Sequence, residues 1–433
     1  MGAIILILNL AFGLGILFFL FYICDLKNIY KNIFNPYFVI VLVACFSRVF
    51  FLKSIDRIGD LNFFIAWADN LYKYGLSNFY ELKIFKDYPP GYMYVLYILD
   101  AIKNIFKLSR TDFKILLKIP AILSDVLTGV LIYKLSKNDI GEKAGFGFAC
   151  IYVLNPAIIF DSSIWGQIDS VYTLFIFLGI YFIGYKKYLY SFILFLLSIF
   201  IKPQALIFSP VFIYAFYEFI KQNKFNKKNF GLLVKYILCL FLVCILILAP
   251  FSKNFNFMPI INTYKKTLES YNYAVLNAFN LYMYLGLNLF ELNSPIFYFI
   301  EFATILFISL FGFWFLFKSK SKAKYFFCAG LLNALVFVFS FKMHERYIYS
   351  TLLFFLISYI YHRDKKNLLL YTGFSLSLFV NLFMIYEKQK LFSVTGQIFS
   401  LINVILAVSS IYFAKNNFLI FLEDKAVKKK IFK

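Results

Sequence analysis

The chain has 433 residues, of which 62% are hydrophobic and 15% are charged, and its formal net charge is +22. A soluble domain of this size is not so apolar, so the composition predicts an integral membrane protein. The excess of lysine lies in short loops beside apolar runs, where cations set the orientation of spans and meet anionic lipid. We therefore expect membrane lipid as a partner and no nucleic acid, because no basic patch lies on a soluble module.

Apolar runs long enough to cross a hydrocarbon core of roughly 30 Å recur along the whole sequence. Because backbone groups inside lipid must be satisfied within each span, they predict helices, and an all-α polytopic bundle of about thirteen spans. The predicted spans are residues 3–24, 36–52, 115–135, 143–160, 169–185, 187–201, 203–220, 231–250, 295–317, 324–341, 347–361, 367–386 and 392–414.

We divide this single membrane domain into three parts. Residues 1–35 hold an extra N-terminal helix, which lacks a basic n-region and a small-residue cleavage site and is therefore interpreted as retained. Residues 36–250 hold the first module with its outer loop 53–114, and residues 251–433 hold the remaining helices with a second outer loop, 251–295. Lysine far outnumbers arginine, which is typical of an AT-rich genome and suggests a bacterial plasma membrane protein.

Orientation depends on residues 91–107, which are short and amphipathic, with a polar stripe at helical spacing formed by Asp100, Lys103, Asn104 and Lys107. We expect this segment to lie along the membrane interface rather than to cross it. The lysine-rich loops then share the cytoplasmic side. A cationic cluster at the end of the first outer loop is the exception: either the predicted topology is wrong there, or these cations contact phosphate, or they form a solvated basic helix face near lipid headgroups. The cluster is Lys103, Lys107, Arg110, Lys114 and Lys118.

With this topology six polar segments lie on the outer side of the membrane. They are residues 57–60, 86–90, 161–169, 202–204, 251–295 and 342–346. Ionisable groups gathered at one end of a membrane bundle indicate a functional site. The sequence therefore predicts an enzyme whose active site is extracytoplasmic.

Asp60 is the first candidate, because a carboxylate at the membrane surface can take a proton from an acceptor hydroxyl. It precedes an amphipathic helix, so it could equally be the N-cap of that helix. The apolar face predicted for the helix consists of Leu61, Phe64, Ile65, Ala68, Leu71 and Tyr72.

Other candidates are polar residues near the outer ends of the spans. Asp87 and Tyr88 precede two prolines that enforce an extended entry into a helix. His344 and Arg346 are cations suited to a phosphate, although Arg346 could instead extend towards the interface. Lys202 and Gln204 interrupt an apolar run, either as a simple turn or because a half-buried lysine meets an anion.

Two further groups complete the set. Asp125 lies inside a predicted span and needs a partner, for which Arg48 or an outer lysine is a candidate. Trp165 is expected to behave as an interfacial aromatic residue, whereas Gln167 and Asp169 belong to the outer polar set.

Several of these elements together resemble the GT-C superfamily of polyprenyl-phosphate-sugar glycosyltransferases. The similarity covers about residues 36–350, and it is nearest to bacterial mannosyltransferases related to the second GPI-anchor mannosyltransferase and to dolichyl-phosphate-glucose glucosyltransferases. It rests on Gly59-Asp60, Trp67, Asp87-Tyr88-Pro89-Pro90, the run from Lys118 to Asp125, Asn155-Pro156, Gln167, Lys202-Pro203-Gln204 and Met343-His344-Glu345-Arg346-Tyr347.

The resemblance implies inverting transfer of a hexose, mannose or glucose, from a polyprenyl-phosphate donor to a glycan or lipid-linked acceptor. It implies that Asp60 is the general base and that His344 and Arg346 face the donor phosphate. It implies no cofactor and no metal ion beyond the donor substrate. Lys118, Asp125, Lys202, Gln204, Asp87, Tyr88, Gln167 and Asp169 are the other predicted substrate-binding residues.

The sequence departs from that family at a few positions. The eukaryotic glucosyltransferases have a histidine-rich loop where this chain has residues 163–167, and a lysine where it has Arg346. These departures bear on the identity of the sugar and of the acceptor more than on the type of reaction. The alternative function is a transporter, flippase or polymerase of lipid-linked saccharides, but transporters tend to place ionisable groups at the midplane and to show internal repeats.

Overall fold

The computed structural model describes residues 35–54, 59–223 and 227–418. This part of the chain is 79% helical and has almost no sheet. The predicted first span, residues 3–24, lies outside the described residues, as do positions 57 and 58 of the first polar segment.

Most of the described residues between 36 and 248 lie in helices. They are α1 (Pro36–Val49), α2 (Asp60–Tyr74), α3 (Leu76–Phe79), α4 (Pro90–Ile105), α5 (Arg110–Ile140), α6 (Glu142–Val153), α7 (Pro156–Ile159), α8 (Asp169–Gly184), α9 (Tyr188–Ile201), α10 (Ser209–Gln222) and α11 (Lys227–Leu248). A π-helical turn, Phe160–Trp165, follows α7, and a 3₁₀ turn, Pro203–Phe208, precedes α10.

The rest of the chain adds a loop-rich segment and then long helices. The elements are α12 (Met258–Ser270), β1 (Val275–Leu276), α13 (Leu281–Tyr284), α14 (Pro295–Lys318), α15 (Lys324–Phe339), β2 (Met343–His344), α16 (Tyr349–His362), α17 (Lys365–Tyr386) and α18 (Val394–Phe418). The two short strands pair in parallel, with Leu276 opposite His344, and so attach the second outer loop to the segment that carries Arg346.

Six helical segments in the described residues are long and apolar enough to cross a membrane. They are Arg110–Ile140, Pro203–Gln222, Phe230–Phe251, Pro295–Lys318, Lys365–Tyr386 and Val394–Asn416. A seventh is possible if α6 and the segment Pro156–Trp165, bent by 46° at their junction, form one broken span. Helices α1, α8, α9 and α15 are apolar but have only 14 to 16 residues. At 1.5 Å per residue they are shorter than a typical hydrocarbon core, so the count of thirteen spans stays a prediction.

Burial divides the long helices into an inner and an outer group. In α15 every residue from 326 to 338 is buried, and α16 packs against it almost as deeply. In contrast, none of the apolar window of α11 and only 11% of that of α14 is buried. Such large exposed apolar faces are unfavourable in water, so this arrangement is consistent with a membrane protein.

The break between α6 and α7 follows from Asn155-Pro156. Proline cannot donate the backbone hydrogen bond that a continuous helix requires. The Asn155 side chain caps α7 by accepting from the Ala157 N–H (2.9 Å) and donates to the Tyr371 hydroxyl (2.7 Å). The chain then continues as the π-helical turn, which places residues 161–167 beside the start of α2.

Helix α2 packs by the face that its sequence predicts, with one exception. Leu61, Phe64, Ile65, Ala68 and Leu71 are buried, together with Trp67. Tyr72, the last residue of the predicted apolar face, is 48% exposed. The Trp67 indole donates to the Phe85 carbonyl (2.7 Å) and thereby holds the chain just before Asp87 against α2.

Candidate active site

Asp60 is the first residue of α2 and not its N-cap. Gly59 occupies the cap position with a left-handed backbone (φ 91°), and the cap makes no side-chain hydrogen bond. The Asp60 carboxylate instead accepts two hydrogen bonds at Oδ2, from Trp165 Nε1 (2.9 Å) and Gln167 Nε2 (2.6 Å). No hydrogen bond to Oδ1 comes from the described residues. The carboxylate is therefore oriented at one oxygen, which leaves the other for a proton.

Gly166 sets the positions of both donors to Asp60. Its backbone is left-handed (φ 84°), and a Cβ atom there would lie 2.9 Å from Leu61 Cδ2 and 3.1 Å from Lys118 Cγ. Only glycine permits this close approach between the loop and α2 without strain. We name Asp60, Trp165 and Gln167 the base side of the site.

A cation side lies next to it. Lys202 Nζ donates to Asp169 Oδ1 (2.7 Å), and both residues are almost fully buried. Asp169 Oδ2 is 3.7 Å from Arg346 Nε, while the Arg346 guanidinium also pairs with Glu345. Asp169 is the first residue of α8, and Lys202 directly follows α9. The anion expected beside this buried lysine is thus the carboxylate of Asp169. We name Lys202, Asp169 and Arg346 the cation side.

Trp165 connects the two sides. Its indole N–H binds Asp60, and the Arg346 guanidinium carbon lies 5.8 Å from the centre of its ring. This distance suits a cation–π contact. Trp165 is 4% exposed, so the expectation of an interfacial aromatic residue was wrong.

A polar cavity of about 460 Å³ opens beside the cation side. Six of the predicted site residues line it, namely Asp87, Tyr88, Lys202, Gln204, His344 and Arg346. The second outer loop supplies another wall through Tyr264, Thr267 and Tyr271. Asp60 lies behind this lining: the Tyr88 hydroxyl faces Gln167 Oε1 at 3.5 Å, and Gln167 in turn binds Asp60.

Several buried polar atoms around the cavity have no hydrogen-bond partner in the described part of the chain. They are Arg346 Nε, Gln204 Oε1, Asp87 Oδ1 and Asp169 Oδ2. Buried polar groups in proteins are nearly always satisfied. Arg346 Nε and Asp169 Oδ2 face each other at 3.7 Å. Gln204 Oε1 and Asp87 Oδ1 belong to residues that line the cavity, so they are the atoms that indicate a polar ligand there.

His344 contacts the cavity, but not as a cation. Its burial, together with the positive charges of Arg346 and Lys202, lowers its pKa well below 6.5, so the imidazole is neutral at neutral pH. It packs against the rings of Tyr271 and Tyr347, each with its centroid 5.1 Å away. The positive charge expected of His344 is thus supplied by Lys202 and Arg346.

Two of the predicted site residues belong to neither the base side nor the cation side and do not line the cavity. Asp125 accepts from Arg48 Nη2 (3.1 Å) and from the Tyr349 hydroxyl (2.6 Å), which confirms the expected pairing with Arg48. Lys118 donates to Ser54 Oγ (2.9 Å) and to the Ser163 carbonyl (2.8 Å). Asp125 stabilises the bundle, and Lys118 holds the loop that carries Trp165.

Three residues of this region are more important in the structure than their sequence pattern suggested. Tyr271 donates to Asp87 Oδ2 (3.0 Å), Trp165 joins the two sides, and Asp161 is fully buried with both carboxylate oxygens unsatisfied among the described residues. The charge of Asp161 inside an otherwise apolar run was a usable signal. Nothing in the local sequence of Tyr271 distinguishes it from the many other tyrosines.

An apolar groove of about 510 Å³ adjoins the polar cavity. Helices α9, α10 and α11 form it, and its lining is almost entirely aliphatic and aromatic. Ile199 borders both the groove and the cavity. A ligand with a polar head and a long apolar tail could occupy both.

No group of three or more His, Cys, Asp or Glu side chains in the described ranges is arranged to hold a metal ion. No protein-family model matches the chain, and no curated protein matches its sequence significantly.

Proposed function

We propose that the chain is an integral membrane inverting glycosyltransferase of GT-C type, with about thirteen spans. It transfers mannose or glucose from a polyprenyl-phosphate donor to a glycan or lipid-linked acceptor at the extracytoplasmic face of a bacterial plasma membrane. One observation carries this proposal: a carboxylate oriented at a single oxygen, Asp60, is joined through Trp165 to Arg346, which shares the Asp169 carboxylate with Lys202.

The base side suits activation of the acceptor. In-line attack at the anomeric carbon requires a hydroxyl whose proton is removed as the new bond forms. Asp60 Oδ1 takes that proton, while Trp165 and Gln167 hold Oδ2. The electron pair of the breaking carbon–oxygen bond goes to the phosphate, which leaves as polyprenyl phosphate.

The cation side suits stabilisation of that leaving group. Negative charge develops on the phosphate as the bond breaks, and fixed positive groups that need no reorganisation stabilise it. Arginine is well suited to phosphate because its planar donors match the oxygen geometry. Lys202 and Arg346 both line the cavity, and the Asp169 carboxylate between them holds them in place.

The apolar groove supports a lipid-linked donor over a soluble nucleotide sugar. With the phosphate in the polar cavity, a polyprenyl chain passes Ile199 and enters the groove. Burial of isoprenoid methylene groups contributes about 0.8 kcal/mol for each CH₂. A soluble nucleotide sugar has no apolar tail that could be buried in the groove.

The test is a transfer assay with purified protein in lipid nanodiscs. Radiolabelled polyprenyl-phosphate mannose and polyprenyl-phosphate glucose are offered with a panel of lipid-linked saccharides, and the product's anomeric configuration is determined. We expect a covalent product with inverted configuration from one donor. A transporter or flippase would give no covalent product and would move label only across sealed vesicles, and that outcome would refute the proposal.

Orientation is tested separately. Single cysteines at positions 60 and 344 are labelled in intact and permeabilised cells with a membrane-impermeant maleimide. We expect both positions to be labelled in intact cells, because both belong to one extracytoplasmic site. Labelling of position 60 only after permeabilisation, with position 344 labelled from outside, would place the two on opposite faces and end the enzyme proposal.

A further inference from the structure

Asp87 is the acidic residue in the wall of the polar cavity, where the proposed function also places the donor phosphate. It lines the cavity together with Arg346 and Lys202. An ionised carboxylate there would repel the single negative charge of a phosphodiester. The surroundings of the two Asp87 carboxyl oxygens indicate how this repulsion is avoided.

The two oxygens of Asp87 have different surroundings. Oδ2 accepts a hydrogen bond from the Tyr271 hydroxyl (3.0 Å), whereas Oδ1 is buried and has no hydrogen-bond partner among the described residues. A protonated carboxylic acid has one acceptor oxygen and one O–H donor. Tyr271 occupies the acceptor position, so the proton belongs on Oδ1.

We propose that Asp87 binds the donor as a neutral acid, with the Oδ1–H group donating a hydrogen bond to a phosphate oxygen. This inference rests on the proposed function, since it assigns a role within the same site. No bond is broken and no proton leaves Asp87. The residue adds a donor to the phosphate site without adding negative charge, as a neutral acid in an oxyanion site does.

Charged groups around Asp87 come from four elements. Burial raises the pKa of Asp87 above its usual value, and Asp60 at the start of α2 raises it further. The Tyr271 hydrogen bond and the charges of Arg346 and Lys202 lower it, but they do not cancel the effect of burial. A phosphate placed in the cavity would raise the pKa again, because a second anion disfavours the ionised form.

Binding and protonation are therefore linked. The donor binds the protein more tightly when Asp87 is neutral than when it is ionised. The bound donor must therefore increase the proton affinity of Asp87 by the same factor. Below the pKa of Asp87 the donor affinity is constant. Above it, affinity falls by roughly tenfold for each pH unit, as expected for the uptake of one proton. The phosphodiester keeps one negative charge throughout this range, so its own titration does not contribute.

The experiment measures equilibrium binding without acceptor, so that no turnover occurs. Polyprenyl-phosphate mannose and polyprenyl-phosphate glucose are titrated into the purified full chain in nanodiscs between pH 5 and 9. Calorimetry in buffers of different ionisation enthalpy reports proton uptake. We expect a dissociation constant that rises with pH, and uptake of up to one proton for each donor bound.

Asp87→Asn tests the assignment, because its amide is a neutral donor at every pH. We expect a dissociation constant that no longer depends on pH, so that at pH 8.5 the variant binds the donor more tightly than the wild type. Asp87→Leu, which has no donor, should bind at least tenfold more weakly at low pH. Asp69→Asn is the control for the loss of one charge, since Asp69 is half exposed, pairs with Lys103 and does not line the cavity.

Three results would overturn the inference. They are donor affinity that does not vary with pH in the wild type, binding that is lost in a folded Asp87→Asn protein, and pH dependence that persists in it. If covalent transfer is observed alongside any of these, the proposed function stands and only the role of Asp87 fails. If the wild type binds neither donor at any pH, both proposals fail.

Discussion

Two buried ion pairs show how similar sequence signals can have different roles. Arg48 and Asp125 pair at 3.1 Å, and Lys202 and Asp169 pair at 2.7 Å, with all four side chains at most 2% exposed. Both oxygens of Asp125 have protein partners, and the pair does not line the polar cavity. Asp169 Oδ2 has no hydrogen-bond partner in the described residues, and Lys202 lines the cavity. Arg48 Nε also has no hydrogen-bond partner among the described residues, but it lies away from the cavity, so this closed pair holds helices together. A pair whose carboxylate keeps an unsatisfied oxygen beside a cavity is instead arranged for a ligand.

The largest effect is expected at Asp60. Asp60→Asn removes the proton acceptor while keeping the shape of the side chain, so sugar transfer should fall by about 10²- to 10⁴-fold, the contribution typical of a general base. Expression and folding should not change. Initial rates with the radiolabelled donor measure the effect, with Asp69→Asn as the matched control. Transfer at the wild-type rate would end the assignment of the base.

The closed pair should control stability instead. Arg48→Met leaves the Asp125 carboxylate buried without its cation, which costs about 3–5 kcal/mol of unfolding free energy. Thermal unfolding in detergent would show this as a lowered midpoint. The remaining folded protein should keep its donor KM, because neither residue lines the cavity.

A double variant makes this test sharper. Arg48→Met combined with Asp125→Leu replaces the pair by apolar groups of similar size, and much of the lost stability should return. If the double variant instead recovers no stability, or if Arg48→Met raises the donor KM strongly, the closed pair would belong to the functional site after all.

Arg346 on the cation side should show the opposite behaviour. Arg346→Ala removes a charged hydrogen-bond donor worth about 1.5–3 kcal/mol, so the donor KM should rise by roughly tenfold to a hundredfold. The acceptor KM should change much less. Arg110→Ala is the matched control, since Arg110 binds Asn62 at the surface and does not line the cavity. Equal increases in both KM values would argue against contact with the donor phosphate.

The apolar groove provides a smaller effect that depends on the donor's tail. Leu240→Trp fills part of the groove on α11, so the KM for a long-chain polyprenyl donor should rise by about threefold to tenfold, the cost of roughly one or two displaced CH₂ groups. A donor with a short prenyl chain should be unaffected. Leu242→Trp, on the same helix but outside the groove, is the control. Equal loss with both chain lengths would mean that the groove does not hold the tail.

The sequence predicted the helices and the polar segments well because both depend on local pattern. Apolar runs determine helices whatever their partners are, and lone charges next to them stand out. It could not separate Asp125 from Asp169, because each carboxylate is defined by a partner 77 or 33 residues away. Whether Asp60 is the N-cap of its helix could not be decided from the local sequence either, because the side chain that donates to it, Trp165, is 105 residues away.

The protonation state of His344 could not be predicted from the sequence for a related reason. A histidine between cationic residues is typical of a phosphate site, but its proton depends on burial and on the field of those same neighbours. The structure buries His344 beside Arg346 and Lys202, which lowers its pKa and makes it neutral. The two cations to which we assign the phosphate thus contribute to removing the charge of His344.

The smallest effect is therefore expected at His344. Because its pKa is already lowered well below 6.5, His344→Gln replaces one neutral polar side chain by another, and the donor KM at pH 7.5 should change by less than about threefold, or under ~1 kcal/mol. Stability gives a second measurement. The unfolded chain binds the histidine proton more readily than the folded protein does, so acidification below pH 6.5 costs the wild type stability that His344→Gln retains. A KM effect as large as that of Arg346→Ala, or identical acid unfolding of variant and wild type, would restore His344 as a cation of the site.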